Sequence, residues 1–136
     1  MKKILFLILL ITLVFYVSSY FNNSNNSCDE LNSIEMSISI VSDNLNFIGI
    51  NTDNDSLKFG KVSPLATVER KVVVENSEEV DVRVFLSGEL SSWVTVDPFK
   101  FKIKPNEVKE VSFKVEVPAD AGAGNYSGEA LFCFKK

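Results

Sequence analysis

Apolar and polar side chains alternate with a period of two residues from residue 34 to the end of the chain. The alternation is regular over residues 34–40, 80–86, 99–104 and 111–117. Successive side chains of a β-strand point to opposite faces, so this period predicts strands with one buried face. A sustained 3.6-residue apolar period does not occur after residue 33, and the pattern therefore predicts an all-β domain.

Turn-forming residues separate the predicted strands. Clusters of Asn, Ser, Gly and Pro recur about every 8 to 12 residues, as in small β-sandwiches. Less regular extended segments lie between them at residues 45–50, 57–59, 68–74, 93–96 and 126–134. We predict an immunoglobulin-like antiparallel β-sandwich over residues 34–136. A closed barrel is the alternative arrangement of the same strands.

Residues 1–21 have the pattern of a targeting segment. Two lysines precede a nearly continuous apolar stretch, residues 4–17, and two serines follow it. As a helix, residues 4–21 would measure about 27 Å, close to the ~30 Å hydrocarbon thickness of a bilayer. This predicts an N-terminal hydrophobic helix that serves as a signal anchor, although the same features fit a cleaved signal peptide.

The charge at the amino terminus also predicts the location of the rest of the chain. Positively charged residues that flank a first apolar segment stay in the cytoplasm, so residues 22–136 are expected outside the cell. The protein is then either a single-pass protein of the cell membrane, held through residues 4–21, or a secreted protein.

A polar stretch rich in Asn and Ser, residues 22–33, follows the apolar segment and predicts a flexible stalk. Asn-x-Ser sequons are candidates for glycosylation in an exported chain. An Asn-rich sequence also produces such triplets by chance. The candidate positions are Asn22, Asn25, Asn54 and Asn125.

The composition argues against nucleic acid as a partner and against catalysis. The formal net charge is −4, and residues 34–136 carry all of it, so the domain has no net attraction for phosphate backbones. The chain contains no His, which is the commonest general base and a common metal ligand. We therefore expect a protein that is not an enzyme and that uses no cofactor.

Two acidic segments are weak candidates for a cation site. Asn51, Asp53 and Asp55 alternate as at the start of a calcium loop, but Ser56 and Val62 stand where that loop requires Gly and Glu. A second acidic group crowds the turn at residues 75–81. We interpret both segments as solvated loops, and we predict no metal site.

Six short motifs occur in a fixed order between residues 57 and 128. They are residues 57–64 (LKFGKVSP), 72–76 (VVVEN), 90–94 (LSSWV), 103–105 (IKP), 117–118 (VP) and 120–128 (DAGAGNYSG). This order resembles the immunoglobulin-like modules of bacterial and archaeal surface proteins, the CARDB-like and NPCBM-associated groups. The resemblance covers about residues 45–136 and implies an adhesion, spacer or scaffold module without catalytic residues. One departure is Leu65-Ala66, where the family usually has Gly after the Pro, so we expect a turn of different shape there.

Three surface features are candidates for ligand contact or for stabilising the domain. Trp93 and Phe99 are candidates for a platform that stacks on a sugar, and the alternative for Trp93 is packing in or at the rim of the core. Lysines at positions 100, 102 and 104 form a stripe that fits either a solvated outer face or contact with an anionic polymer. Tyr126 is expected to bond a nearby loop carbonyl, as in a tyrosine corner.

Cys28 and Cys133 are the two cysteines of the chain, and export permits a disulfide between them. Their proximity depends on topology. If the segment from residue 34 runs parallel to the last strand, the two cysteines lie at opposite ends of the domain, whereas a hairpin near residues 43–44 would bring them together.

The sequence therefore favours a non-catalytic module of the cell surface that acts in protein–protein interaction, adhesion or envelope scaffolding, with an unidentified envelope protein as its partner. The alternative function is a carbohydrate-binding module that uses exposed aromatic side chains near Trp93.

Overall fold

The structure is a computed structural model that describes residues 27–42 and 56–136. Within these ranges the chain forms eight strands and one short 3₁₀ helix. The strands are β1 (Glu30–Ile40), β2 (Ser56–Val62), β3 (Thr67–Glu75), β4 (Val80–Gly88), β5 (Val94–Asp97), β6 (Lys100–Ile103), β7 (Val108–Glu116) and β8 (Gly124–Lys135), and the 3₁₀ helix is Glu89–Trp93.

The strands form two sheets. The larger sheet has the order β2-β1-β8-β4-β6, and the smaller sheet has the order β3-β7-β5. Neighbouring strands pair antiparallel, apart from β1 and β2, which pair parallel with an irregularity between Ser37 and Ser39. The architecture is therefore an all-β arrangement of two mainly antiparallel sheets, as the alternation predicted.

The hydrophobic core lies between the two sheets. Phe113 on β7 and Phe132 on β8 meet there with their ring centroids 6.1 Å apart, which links the smaller sheet to the larger one. Arg70 adds a polar link, because its Nε donates to the Lys58 carbonyl of β2 at 3.2 Å. The fully buried side chains with the largest volumes are Phe59, Phe113, Met36, Leu90, Ile103, Val82, Val111 and Val115.

The two-residue alternation determines which side chains enter this core. Along β4, Val80, Val82 and Val84 are buried, whereas Asp81 and Arg83 face solvent. The same sequence pattern gives buried and exposed faces on β1 and β7. Because the burial follows the sequence period, strand facing was predictable in these segments.

Strand β1 begins at Glu30, before the alternation starts at residue 34. Residues 30–33, which belong to the predicted stalk, pair with residues 131–134 of β8. Backbone pairing extends this strand where the side chains show no alternation, because backbone hydrogen bonds do not depend on side-chain type. The domain therefore includes the end of the polar stretch.

Two details of the region around Trp93 differ from the sequence prediction. Trp93 ends the 3₁₀ helix, and the extended strand β5 begins only at Val94. The alternation over residues 99–104 places Phe99 on the buried face with Phe101 and Ile103, whereas a sugar platform requires an exposed ring, and Phe99 is 66% exposed. The chain crosses there from β5 in the smaller sheet to β6 in the larger one, so regular alternation begins only at Lys100.

The turn after Pro64 contains Leu65 in a left-handed conformation, with φ 66°. Glycine favours this region because it lacks a Cβ. Leu65 adopts this conformation although it carries a Cβ.

Several predictions concern residues outside the described ranges. They are the N-terminal hydrophobic helix at residues 4–21, the extended segment at residues 45–50, the alternating acidic loop at residues 51–55, and the sequons at Asn22, Asn25 and Asn54.

Candidate functional site

A basic cleft lies on the outer face of the larger sheet, where β8, β4 and β6 pair. Arg83 is the central residue of this face, because it lies opposite Cys133 of β8 on one side and Lys100 of β6 on the other. Asp81 occupies the next outward position of β4 and lies opposite both Lys135 and Lys102. Strand register therefore brings together cations that are distant in the sequence.

The cleft is open to solvent and has a volume of about 460 Å³. Arg83, Lys100 and Lys135 contribute three positive charges to its lining, and Asp81 contributes one negative charge. None of the three cations forms an ion pair within residues 27–42 and 56–136. The cleft thus presents uncompensated positive charge. Its lining residues are Ser27, Asp81, Arg83, Phe85, Lys100, Cys133 and Lys135.

Two further lysines near the cleft have partners. Lys102 Nζ donates to Glu79 Oε1 at 3.1 Å, and this hydrogen bond, with the charges of Asp81 and Glu79, raises the pKa of Lys102. Lys136 pairs with Glu78, whose carboxylate raises the pKa of Lys136 in the same way. Two members of the predicted lysine stripe therefore differ in their charge balance, because a carboxylate neutralises Lys102 and none pairs with Lys100 in the described residues.

Exposed apolar side chains flank the basic cleft. Phe85 on β4 lines it and is 49% exposed, and Leu31 on β1 is 57% exposed. Phe99 lies next to Lys100, and its carbonyl accepts a hydrogen bond from the Val84 amide at 2.8 Å. This face therefore combines positive charge with the solvent-exposed ring of Phe85.

The start of β1 is fastened to the last strand beside the cleft. Cys28 and Cys133 form a disulfide, with their Cα atoms 5.3 Å apart. The Asp29 amide donates to the Phe134 carbonyl at 2.9 Å, and the Lys136 amide donates to Asp29 Oδ2 at 2.8 Å. Neither topology considered from the sequence applies, because β1 itself runs antiparallel to β8 and carries Cys28 to the end of that strand.

Trp93 lies at the rim of the core, which is the alternative that the sequence left open. Its ring contacts the Tyr126 ring in a tilted arrangement with centroids 4.5 Å apart, and it packs against the buried cluster. The Tyr126 hydroxyl donates to the Gly122 carbonyl at 2.9 Å, which confirms the predicted loop contact. Trp93 is thus engaged in packing, and Phe99 is the more exposed member of the predicted sugar platform.

The outer face of the smaller sheet differs in its electrostatics from the basic cleft. Lys71 Nζ donates to Glu110 Oε1 at 2.7 Å, and Lys114 Nζ donates to Glu116 Oε1 at 2.5 Å. These hydrogen bonds raise the pKa of both lysines. Cross-strand and local pairs therefore balance charge on this face, whereas the cleft keeps its positive charge.

Asn125 is the one predicted glycosylation position that the structure describes. It is exposed at the start of β8, where its Oδ1 accepts a hydrogen bond from Ser39 Oγ at 2.5 Å. The side-chain nitrogen, to which a glycan would attach, is not used in this bond.

The described residues contain no group of three or more Cys, Asp and Glu side chains placed to hold a metal ion. A shallow groove elsewhere on the larger sheet includes Glu35, Glu89 and Glu129. In the part of the chain that the structure covers, no helix is long and apolar enough to cross a bilayer.

Comparison with known proteins gave no match to a protein-family model, a curated protein or a solved structure.

Sequence reasoning did not identify Arg83 or Lys135 as site residues. Each is a single charged position in an alternating strand, and only the register of β4, β6 and β8 brings them together.

Proposed function

We propose that this chain is an exported, non-catalytic immunoglobulin-like module that acts through surface contacts with another protein of the cell envelope. The observation that carries the proposal is the disulfide between Cys28 and Cys133. Structural disulfides persist in oxidising compartments and are rare in the cytosol. The bond agrees with export by the apolar segment at residues 4–21, through which the chain is either membrane-anchored or released after cleavage.

The immunoglobulin-like assignment is supported by the sandwich and by one local feature. Two mainly antiparallel sheets enclose one core, as in that fold. Tyr126 bonds a carbonyl four residues upstream near the start of β8, which corresponds to a tyrosine corner.

Action through the surface is supported by the distribution of polar groups. No polar or charged residue is buried in residues 27–42 and 56–136. The groups with a shifted pKa are exposed lysines, each beside a glutamate. Exposed apolar side chains such as Phe85 and Val73 supply contact area of the kind that protein interfaces use.

The carbohydrate-binding alternative depends on aromatic rings that are free to stack on a sugar. Trp93 is held against Tyr126 and the core, so the pair of rings that the alternative requires is not exposed together. Of the two rings in the predicted platform, that of Phe99 is the exposed one. Protein contact is therefore the better supported function.

Lysine-directed cross-linking on intact cells, followed by mass spectrometry, tests the proposal. We expect cross-links to one envelope protein, and the modified lysines identify the sheet in contact. Lys71 and Lys114 report the smaller sheet, and Lys100 and Lys135 report the larger sheet. Phe113→Asp, which places a charge in the core, is the control and should lose the specific partner.

Recovery of cytosolic proteins as the cross-linked partners would contradict the proposal. Retention of the chain on cell-wall polysaccharide without any cross-linked protein would instead favour the carbohydrate-binding function. Loss of that retention in a Phe99→Ala variant would identify the exposed ring as the contact.

A further inference from the structure

We propose that the basic cleft faces the membrane that holds residues 4–21 and binds the anionic headgroups of its lipids. The inference rests on the proposed function in its anchored form, and it adds an orientation and a ligand class to it. The cations that would contact the headgroups are Arg83, Lys100 and Lys135.

The length of the tether restricts how far the cleft can lie from the bilayer. Residues 22–27 separate the apolar segment from Cys28, and six residues span at most about 20 Å when fully extended. Cys28 is bonded to Cys133, and both Cys133 and Ser27 line the cleft. The tether therefore leaves the domain at the cleft itself.

The attachment is fixed at more than one point. The disulfide is reinforced by the hydrogen bonds from the Asp29 amide to the Phe134 carbonyl and from the Lys136 amide to Asp29 Oδ2. Without these bonds, the polar stretch would be held only from Glu30, where β1 begins to pair with β8, and the linker would be longer and more flexible. With them, the end of the larger sheet is held toward the membrane.

The charge of the cleft complements a lipid surface that carries phosphates. Arg83, Lys100 and Lys135 have no ion-pair partner in the described parts of the chain, and Asp81 offsets one of the three charges. Basic residues near an anionic membrane are attracted to it, and guanidinium groups bind phosphate in a bidentate geometry. Lys71 and Lys114 on the opposite sheet are already paired with glutamates.

Exposed apolar side chains at the same end suit the boundary between headgroups and acyl chains. Phe85 lines the cleft, Leu31 pairs with the cleft residue Cys133, and Phe99 directly precedes the cleft residue Lys100. Surfaces that lie on membranes combine basic residues with such apolar side chains. A cationic cleft with aromatic margins therefore fits a lipid surface better than it fits a wholly polar ligand.

Lysine acetylation footprinting of the full chain in lipid vesicles tests the inference. The chain is reconstituted in phosphatidylcholine alone and in phosphatidylcholine mixed with phosphatidylglycerol, and the labelling of each lysine is measured by mass spectrometry. We expect the anionic lipid to reduce labelling of Lys100 and Lys135 severalfold. Labelling of Lys71 and Lys114 on the other sheet should stay unchanged, which makes these residues internal controls.

Two charge-reversal variants provide a second test of the inference. Arg83→Glu should abolish the protection of Lys100 and Lys135, whereas Lys71→Glu, which changes the charge equally on the opposite sheet, should preserve it. Both positions are exposed, and unchanged melting temperatures would show that both variants fold. High salt should weaken the protection, because the attraction is electrostatic.

The outcomes separate this inference from the proposed function. A chain that does not float with neutral vesicles would contradict the anchored form and the inference together. A chain that floats but shows equal labelling of Lys100 with and without phosphatidylglycerol would contradict the inference alone. Reduced labelling of Lys100 and Lys135 in cells but not in anionic vesicles would assign the cleft to an acidic protein partner. This result would also overturn the inference.

Discussion

Gly88 and Gly128 lie directly opposite each other where β4 pairs with β8, and neither position has room for a side chain. A Cβ on Gly88 would lie 2.7 Å from the Gly128 Cα, and a Cβ on Gly128 would lie 2.6 Å from the Ser87 carbonyl oxygen. Gly88 also has φ 84°, a conformation that L-residues rarely adopt. The pair permits close approach of the two strands where the 3₁₀ helix begins.

We expect Gly128→Ala to destabilise the domain by about 1–3 kcal/mol, the usual cost of overpacking, because the clashing atom belongs to the backbone. The measurement is the urea midpoint of unfolding. Gly122→Ala is the matched control, since its Cβ would meet the Tyr126 hydroxyl at an ordinary 3.6 Å. Equal midpoints for the two variants would show that the strands do not approach as described.

Phe113→Ala should lower the free energy of unfolding by about 3–5 kcal/mol, because it leaves a cavity beside Phe132 between the sheets. Phe85→Ala removes the same atoms from an exposed position and should change the stability much less. Both values follow from chemical denaturation monitored by circular dichroism. If the Phe85 variant were the less stable of the two, the facing of the strands would be incorrect.

Loss of the disulfide should destabilise the domain substantially. The bond joins residues separated by 105 positions, and the chain-entropy model predicts a contribution of up to ~4.7 kcal/mol for a loop of about that length. Cys28→Ser should lower the urea midpoint, and reductant should lower the midpoint of the wild-type chain but leave that of the variant unchanged. A wild-type midpoint that does not respond to reductant would contradict this contribution.

Tyr126→Phe should cost about 0.5–1.5 kcal/mol, because it removes the hydrogen bond to the Gly122 carbonyl but keeps the ring. The fluorescence of Trp93, the single tryptophan, should stay nearly the same in this variant. Tyr126→Ala should shift the Trp93 emission to longer wavelength, because its ring contact is lost. An unshifted Tyr126→Ala spectrum would show that the two rings are not in contact.

The facing of most strands was predictable from the sequence. Val82 and Phe113 are buried, and their neighbours in sequence are exposed or half-buried, because one face of each strand packs against the opposite sheet. The alternation alone places Phe99 incorrectly, because this residue belongs to the crossing between sheets, where the side chains no longer alternate. The two-residue alternation of apolar and polar side chains does not by itself show where a strand begins.

Long-range register was not predictable. Arg83 and Lys135 meet at the cleft because β4 and β8 pair in one particular register, and a relative shift of one residue would place them on opposite faces of the sheet. The approach of Cys28 to Cys133 likewise depends on the antiparallel pairing of β1 with β8 beyond the alternating segment. These features arise from tertiary pairing that local patterns do not encode.

Thiol alkylation in intact cells tests most directly the claim that this domain is exported and closed by Cys28 and Cys133. The cells are treated with a membrane-permeant alkylating reagent, and the mass of the chain is then measured before and after reduction. The account predicts no alkylated cysteine before reduction and two newly reactive thiols after it. Two alkylated cysteines without reduction would contradict the account.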